Sequence, residues 1–515
     1  MPYPRFDLYY RHARPALALL TGLLMPMALT GCLGLSGGSE LIPPEASGLP
    51  PTEIRIGTGL NPMYSWQVGN VSSLLLVRVA DPSAPVWGLA AQGARDILSS
   101  PVRHGLPVTD PTLQTVSPAE TTLTAGVEYS VIIVTQGGFK QLTTRFRPPY
   151  GNIATASNFT PFSAPAANHS IAIKKDYTVW NWGANGSGQL GDGTFSDRSV
   201  PAKVTLSAVA AAVAAGELHT LATLQDGTVW AWGDNGSGQL GTGNTVSSTA
   251  PTQITLPSSK AAASVAAGYR HSLAILRDGT LSAWGDNSSG QLGDGSTTNR
   301  TAPVAIAGPA VVTAVTAGIS HSLALDAYGI VWSWGANDSG QLGHTPTDPT
   351  KPDGIPSQSF GAMAITAIAS GRKHNLALAS DGSVWAWGDN SSGQLGTGNT
   401  TPGPTPAKIA GLGTITAIAA GDNHSLAIDS NGTVWAWGDN SGGQLGDGTS
   451  AVSSPAPIKV KLSATAKAMA IAAGKLHSLA VLDDDTVWAW GANGSGQLGN
   501  DSTIDSAKPV QVSIP

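Results

Sequence analysis

One cysteine, Cys32, occurs among 515 residues, which excludes a disulfide within the chain and any cysteine-built metal cluster. Charge is also scarce. Asp, Glu, Lys and Arg make up 12% of the sequence, and 27 basic against 33 acidic residues leave a formal charge of −6. Without a basic face, nucleic-acid binding is not expected. No Gly-rich loop leads into Lys and Ser or Thr, and no H-E-x-x-H is present, so neither a phosphate cradle nor a helical zinc site is expected. Phrases such as GDNSSGQLGDG (285–295) look superficially like calcium loops. They lack the acidic spacing and terminal glutamate that such loops need. No cofactor and no metal are therefore expected, and an enzyme is disfavoured.

Glycine is abundant, at 63 residues, and it marks a repeat. The stretch AGELHTLATLQDGTVWAWGDNGSGQLG (215–241) returns seven times. Its histidines are His169, His219, His271, His321, His374, His424 and His477, each twenty residues before the glutamine of a GQLG. From one histidine to the next the spacing is 50, 52, 50, 53, 50 and 53. All length variation lies outside the His-to-Gln block, so that block is the structural unit and the rest is loop. A period near fifty means a closed or stacked array of small units.

Within a unit, HTLATL and TVWAWG flank an Asp-Gly turn, a strong hairpin signal. Asn431-Gly432 is equivalent, while Tyr328-Gly329 and Asp484-Asp485 depart from the ideal turn. Alternation puts Trp230 and Trp232 on one strand face and Val229 and Ala231 on the other, and the pattern recurs in every copy except that Ser282 replaces one tryptophan. Such rings, each covering on the order of 150–250 Å², would glue stacked sheets together. An apolar strand precedes each histidine, and a Pro-x-x-aliphatic strand follows each GQLG loop. Four strands per unit make a β-propeller. The chain ends in PVQV (509–512), and pairing that strand into the first unit would close the ring. The expected fold is all-β: a seven-bladed propeller closed by its C-terminal strand, over residues 153–515.

The pattern GxxHSLAL…DGxVWAWGxNxxGQLG resembles the repeat of the regulator of chromosome condensation family, whose members form seven-bladed propellers. That resemblance implies that the turns between the AG pair and the histidine contact protein partners, as in nuclear exchange factors and a secreted β-lactamase inhibitor. Those turns share one end of the propeller with the GQLG loops, and the Asp-Gly turns occupy the other. The two residues of each turn differ between copies: Glu217-Leu218, Tyr269-Arg270, Ile319-Ser320, Arg372-Lys373, Asp422-Asn423 and Lys475-Leu476, with Ala167-Asn168 in the degenerate first copy. A constant frame with variation at one rim suits an array used for binding. Tyr269, Arg270, Arg372 and Lys373 are the candidate anchors, because aromatic and Arg side chains dominate hot spots.

Ahead of the repeats, Arg5, Arg11 and Arg14 precede the apolar run ALALLTGLLMPMALTGC, the layout of a secretory signal. Leu29-Thr30-Gly31-Cys32 resembles the lipobox of bacterial lipoproteins, which implies acylation of Cys32 and membrane anchoring, with the outer membrane as the expected address. Residues 1–31 are then signal, 32–52 a tether, and 53–149 a β-sandwich resembling an immunoglobulin or fibronectin module, with Tyr129 as its corner tyrosine. An exported protein has no access to a cytosolic GTPase, so nucleotide exchange is not carried over. The expected function is an anchored protein-binding or scaffold module. The rival is a propeller hydrolase or lyase acting on envelope or extracellular polymers, which would need acidic groups clustered at the axis.

Overall fold

The computed structural model describes residues 167–514 with their side chains, apart from residues 175, 258–259, 310, 345–352, 360–363 and 463–465, and before them only the strands between Ile54 and Phe162. The chain divides into two compact units between Asn152 and Ile153. In the first, strands pair into a three-stranded and a five-stranded sheet. The packing of a sandwich over 53–149, the tether, the signal and Cys32 all lie outside the described residues.

The second unit is a seven-bladed propeller of four-stranded antiparallel sheets. Blade 2 shows the pattern with Ala210–Ala215, His219–Leu224, Val229–Gly233 and Ser248–Ile254. The first strands of successive blades meet round the axis, so they are innermost and the Pro-bearing fourth strands are outermost. Small side chains on the inner strand let seven blades converge there. The second strand is buried along its whole length in blade 2 and in blades 3 to 7.

The Asp-Gly hairpin pairs in register, with His219 opposite Gly233 and Thr223 opposite Val229. Its glycine has a φ of +86° in Gly227 and lies between +77° and +83° in Gly279, Gly329, Gly382 and Gly432, a conformation that glycine adopts without steric cost. Blades 1 and 7 put Tyr177 and Asp485 there instead, at φ 64° and 68°. Within the turn, Asp226 accepts from the Thr228 amide and hydroxyl, and Thr228 accepts from Trp230 Nε1. Blades 4 and 6 reach the same end differently: Asp326 and Asp429 accept directly from Trp332 and Trp435.

One expectation is corrected. The C-terminal strand, Ser506–Gln511, pairs with Val487–Gly491 of its own blade, and blade 1 supplies its own inner strand, Phe159–Phe162. No strand is exchanged, because the GQLG loop folds back over its own blade. Asn235 explains why: its Nδ2 donates to Asn244 O and Val246 O while its Oδ1 accepts from Leu240 N, reversing the chain onto the third strand. The ring closes by packing, with Ala172 and Trp182 of blade 1 against Leu479, Leu498 and Val512 of blade 7.

Candidate functional site

The constant residues of the repeat are absorbed by the seams between blades. Trp182, Trp232, Trp284, Trp334, Trp387, Trp437 and Trp490 are fully buried. Each indole donates to the backbone carbonyl of the GQLG glutamine in the preceding blade, as Trp232 does to Gln189 O at 2.9 Å and Trp182 to Gln497 O at 2.9 Å. The final glycine of GQLG sits under that indole. A Cβ on Gly241 would lie 2.8 Å from Trp284 Nε1, and its φ of +73° is left-handed besides. Tryptophan and glycine are thus two halves of one socket.

The histidines complete the seam. His219 Nε2 lies 3.0 Å from Ser272 Oγ in the next blade, and that hydroxyl donates to Gln239 O at 2.8 Å. Because the hydroxyl proton is committed to the carbonyl, the imidazole must donate through Nε2–H. Blade 5 fixes this independently, since Asn375 Nδ2 donates to Gln341 O and its Oδ1, which cannot donate, faces His321 Nε2 at 2.9 Å. The same unit closes the ring, from His477 through Ser170 to Gln497 O. Burial holds the histidines far below their usual value, at about 3 for His169, His271, His374, His424 and His477 and about 4 for His219 and His321. They are neutral struts. The glycine of the AG pair is explained in the same way, since a Cβ on Gly216 would fall 2.3 Å from the His219 ring. Among the described residues no three His, Cys, Asp or Glu side chains converge to hold a metal ion.

Variation is left to the two residues between that glycine and the histidine. The first of the pair runs round the axis: Tyr269 N donates to Gly318 O, Ile319 N to Arg372 O, Arg372 N to Asp422 O and Lys475 N to Ala167 O. The carbonyl of the second ties the turn to its own GQLG loop, as when Leu218 O accepts from Asp234 N. Four of the expected residues come together. The Glu217 carboxylate beside Tyr269 raises the tyrosine pKa, and the Arg270 and Arg372 guanidiniums act in the opposite direction. Arg270 also lies over the Tyr269 ring at 5.6 Å. One Glu217 oxygen, Oε2, is buried without a hydrogen bond. Lys373 bridges to Asp338 of blade 4. Arg270 and Arg372 are exposed; Leu218, Ile319, Ser320, Asn423, Lys475 and Leu476 are half-buried, and Asp422 is buried. Side-chain patterns could not reveal the glutamine main-chain carbonyls, which join each seam.

Comparison with known proteins places these repeats. The Regulator of chromosome condensation (RCC1) repeat model matches residues 178–223, 226–275 and 278–325, and a second model of the same repeat matches 210–239 and 262–291. The RCC1-like domain model matches 304–515. The blades are RCC1 repeats. The chain is similar to the ultraviolet-B receptor UVR8 of Arabidopsis thaliana, with 32% identity over 348 residues, covering 66% of this chain and 55% of the receptor. It is also similar to the RCC2 homolog of Danio rerio, with 27% identity over 179 residues, 34% of this chain and 25% of the relative. The match therefore spans about half of the first relative's length and a quarter of the second's. Among solved structures, human WBSCR16 superposes with a TM-score of 0.60 at 24% identity, over 66% of this chain and 95% of that one. Yeast RCC1 (Prp20), solved with Kap60 bound, gives 0.60 at 24% identity over 70% and 86%. These structures share the fold.

Proposed function

We propose that the propeller is a protein-binding module and that its partner docks on the end carrying the AGxxH turns. The observation that carries this reading is the cluster of Glu217, Tyr269, Arg270 and Arg372, which joins side chains from blades 2, 3 and 5 on a frame that is otherwise repeated. An aromatic ring flanked by guanidiniums and a carboxylate offers both apolar area and charge-assisted hydrogen bonds, the combination that dominates binding hot spots. A non-catalytic role for the repeat is supported by its seven histidines, whose Nε2 atoms all bond within the seams. Yeast RCC1 (Prp20), which shares the fold, has been solved with Kap60 bound, so a protein partner has a precedent in a protein of this fold. Anchoring through acylated Cys32, with the propeller exported to the cell envelope, is part of the same proposal and rests on the lipobox-like tetrad.

The test is quantitative capture from envelope and secreted material on the wild-type protein and on Tyr269→Ala/Arg270→Ala/Arg372→Ala. The variant is expected to lose a specific partner at least tenfold; equal recovery of every protein by both would sink the proposed face. A parallel Cys32→Ser variant should lose both the lipid mass increment and the membrane fraction.

A further inference from the structure

The loop end carries a second feature, at its rim. In the segment between GQLG and the outer strand, four adjacent blades each present one large apolar side chain to solvent: Val452 in blade 6, Ile504 in blade 7, Phe195 in blade 1 and Val246 in blade 2, at 72%, 77%, 63% and 71% exposure. Blades 3 and 5 hold exposed threonines at the same place, Thr297 and Thr298, and Thr400 and Thr401. Blade 4 exposes Ile355, at 62%, but within its outer strand Asp353–Gln358, so among the described residues the loop tips that carry such a side chain are those of four successive blades.

The arc is continuous through the backbone. Gly448 N donates to Ala507 O, Asp501 N to Ser199 O, and Gly193 N to Thr249 O, so each loop is stitched to the outer strand of the next blade. Such stitching holds the tips in fixed order and reduces the entropy lost when a partner docks. One exposed apolar side chain on each of four successive blades, held in order by these backbone bonds, makes a row that an extended partner segment can follow. The charge between them has one dominant sign. Asp505 and Asp197 lie within the arc, in the loops of blades 7 and 1, each holding a loop amide, and Asp447 and Asp501 lie in the loops of blades 6 and 7. Arg198 is neutralised by Asp192 at 2.5 Å.

We infer that this arc docks a protein segment in which apolar and basic side chains alternate, the apolar ones meeting Val452, Ile504, Phe195 and Val246 and the basic ones meeting the intervening carboxylates. It goes beyond the reading centred on Tyr269: the arc is a second site on the same end, separate from the Glu217, Tyr269, Arg270 and Arg372 cluster. An anionic membrane surface would meet the carboxylates with like charge, which favours the peptide.

The probe is a synthetic peptide of alternating Lys and Leu, titrated into the full chain by fluorescence anisotropy. A Lys-Ser and a Glu-Leu peptide serve as comparisons, and phosphatidylcholine and phosphatidylglycerol vesicles test the membrane alternative. Saturable binding of the Lys-Leu peptide is expected, at least tenfold tighter than either comparison peptide, and weakened at least tenfold by Phe195→Ser/Ile504→Ser. Because both side chains are exposed, the variant should keep its melting transition. The mouth variant Arg270→Ala/Arg372→Ala should bind the peptide within twofold of wild type. Equal affinity of the rim variant, no preference over Lys-Ser, or binding to vesicles alone would overturn the arc. Loss of binding in the mouth variant only would overturn the arc and leave the axial face standing.

Discussion

Asp485 shows how far a single repeat position departs from its frame. Five blades place glycine there, and Asp485 adopts the same left-handed φ of 68° with one carboxylate oxygen buried and unpartnered. For a residue with a Cβ that conformation costs about 1 kcal/mol, and a buried polar atom without a partner adds to it. Asp485→Gly should therefore stabilise the propeller by about 1 kcal/mol, less the extra entropy that glycine gives the unfolded chain. The readout is the urea midpoint at constant slope. No change, or a lower midpoint, would show that the turn already relaxes around the aspartate. The sequence signals this position correctly as a departure from Asp-Gly, because backbone demand at a two-residue turn is local.

At the scale of the element, the unit is the seam rather than the blade. Ser425 receives His374 Nε2–H at 3.0 Å and passes its own proton to Gln394 O at 2.9 Å. Ser425→Ala leaves a fully buried imidazole donor without an acceptor, at a cost of about 1–3 kcal/mol. Ser425→Thr should cost less than half as much, since Thr220 fills the equivalent place in blade 2. Thermal or chemical unfolding of the two variants separates a hydrogen-bond role from simple packing, for which both would behave alike. The sequence shows that histidine and tryptophan are structural, because both recur at fixed spacing. It does not show what they bond to: their shared partner is a main-chain carbonyl on another blade, which no side-chain pattern encodes. The C-terminal strand is the one placed differently from expectation, for a related reason. A Pro-x-x-aliphatic run reads the same whichever neighbour it joins, and the choice is made by Asn235 and its equivalents folding the loop. The turn residues Glu217, Tyr269, Arg270 and Arg372 stand out as the variable part of a constant repeat. The arc from Val452 to Val246 does not, since loop lengths differ and its members fall out of register.

For the whole molecule, the seven seams titrate together. Every seam histidine has a folded pKa depressed by burial, to about 4 for His219 and His321 and about 3 for the other five. In the unfolded chain they titrate near their ordinary value of about 6.5. Between those values the unfolded chain binds protons that the folded ring excludes, so stability falls as pH drops below 6.5 and the loss continues to about 4 and then 3. Each histidine contributes about 1.4 kcal/mol per pH unit across that window. The turn aspartates, such as Asp226 and Asp381, have folded values lowered mainly by hydrogen bonds to the following Thr or Ser. Their stabilisation is lost only as pH falls through the carboxylate range, so the decline between pH 6.5 and 5 belongs to the histidines. Urea midpoints at pH 7.5, 6.0 and 5.0 should fall at each step, and their slope against pH should correspond to several protons taken up on unfolding. A flat profile from pH 7.5 to 5.0 would mean that the imidazoles are solvated in the folded ring. Because all seven seams carry the same strut, no one seam is spared by acid, and the propeller should open as a unit rather than shed a blade at the junction of blades 7 and 1.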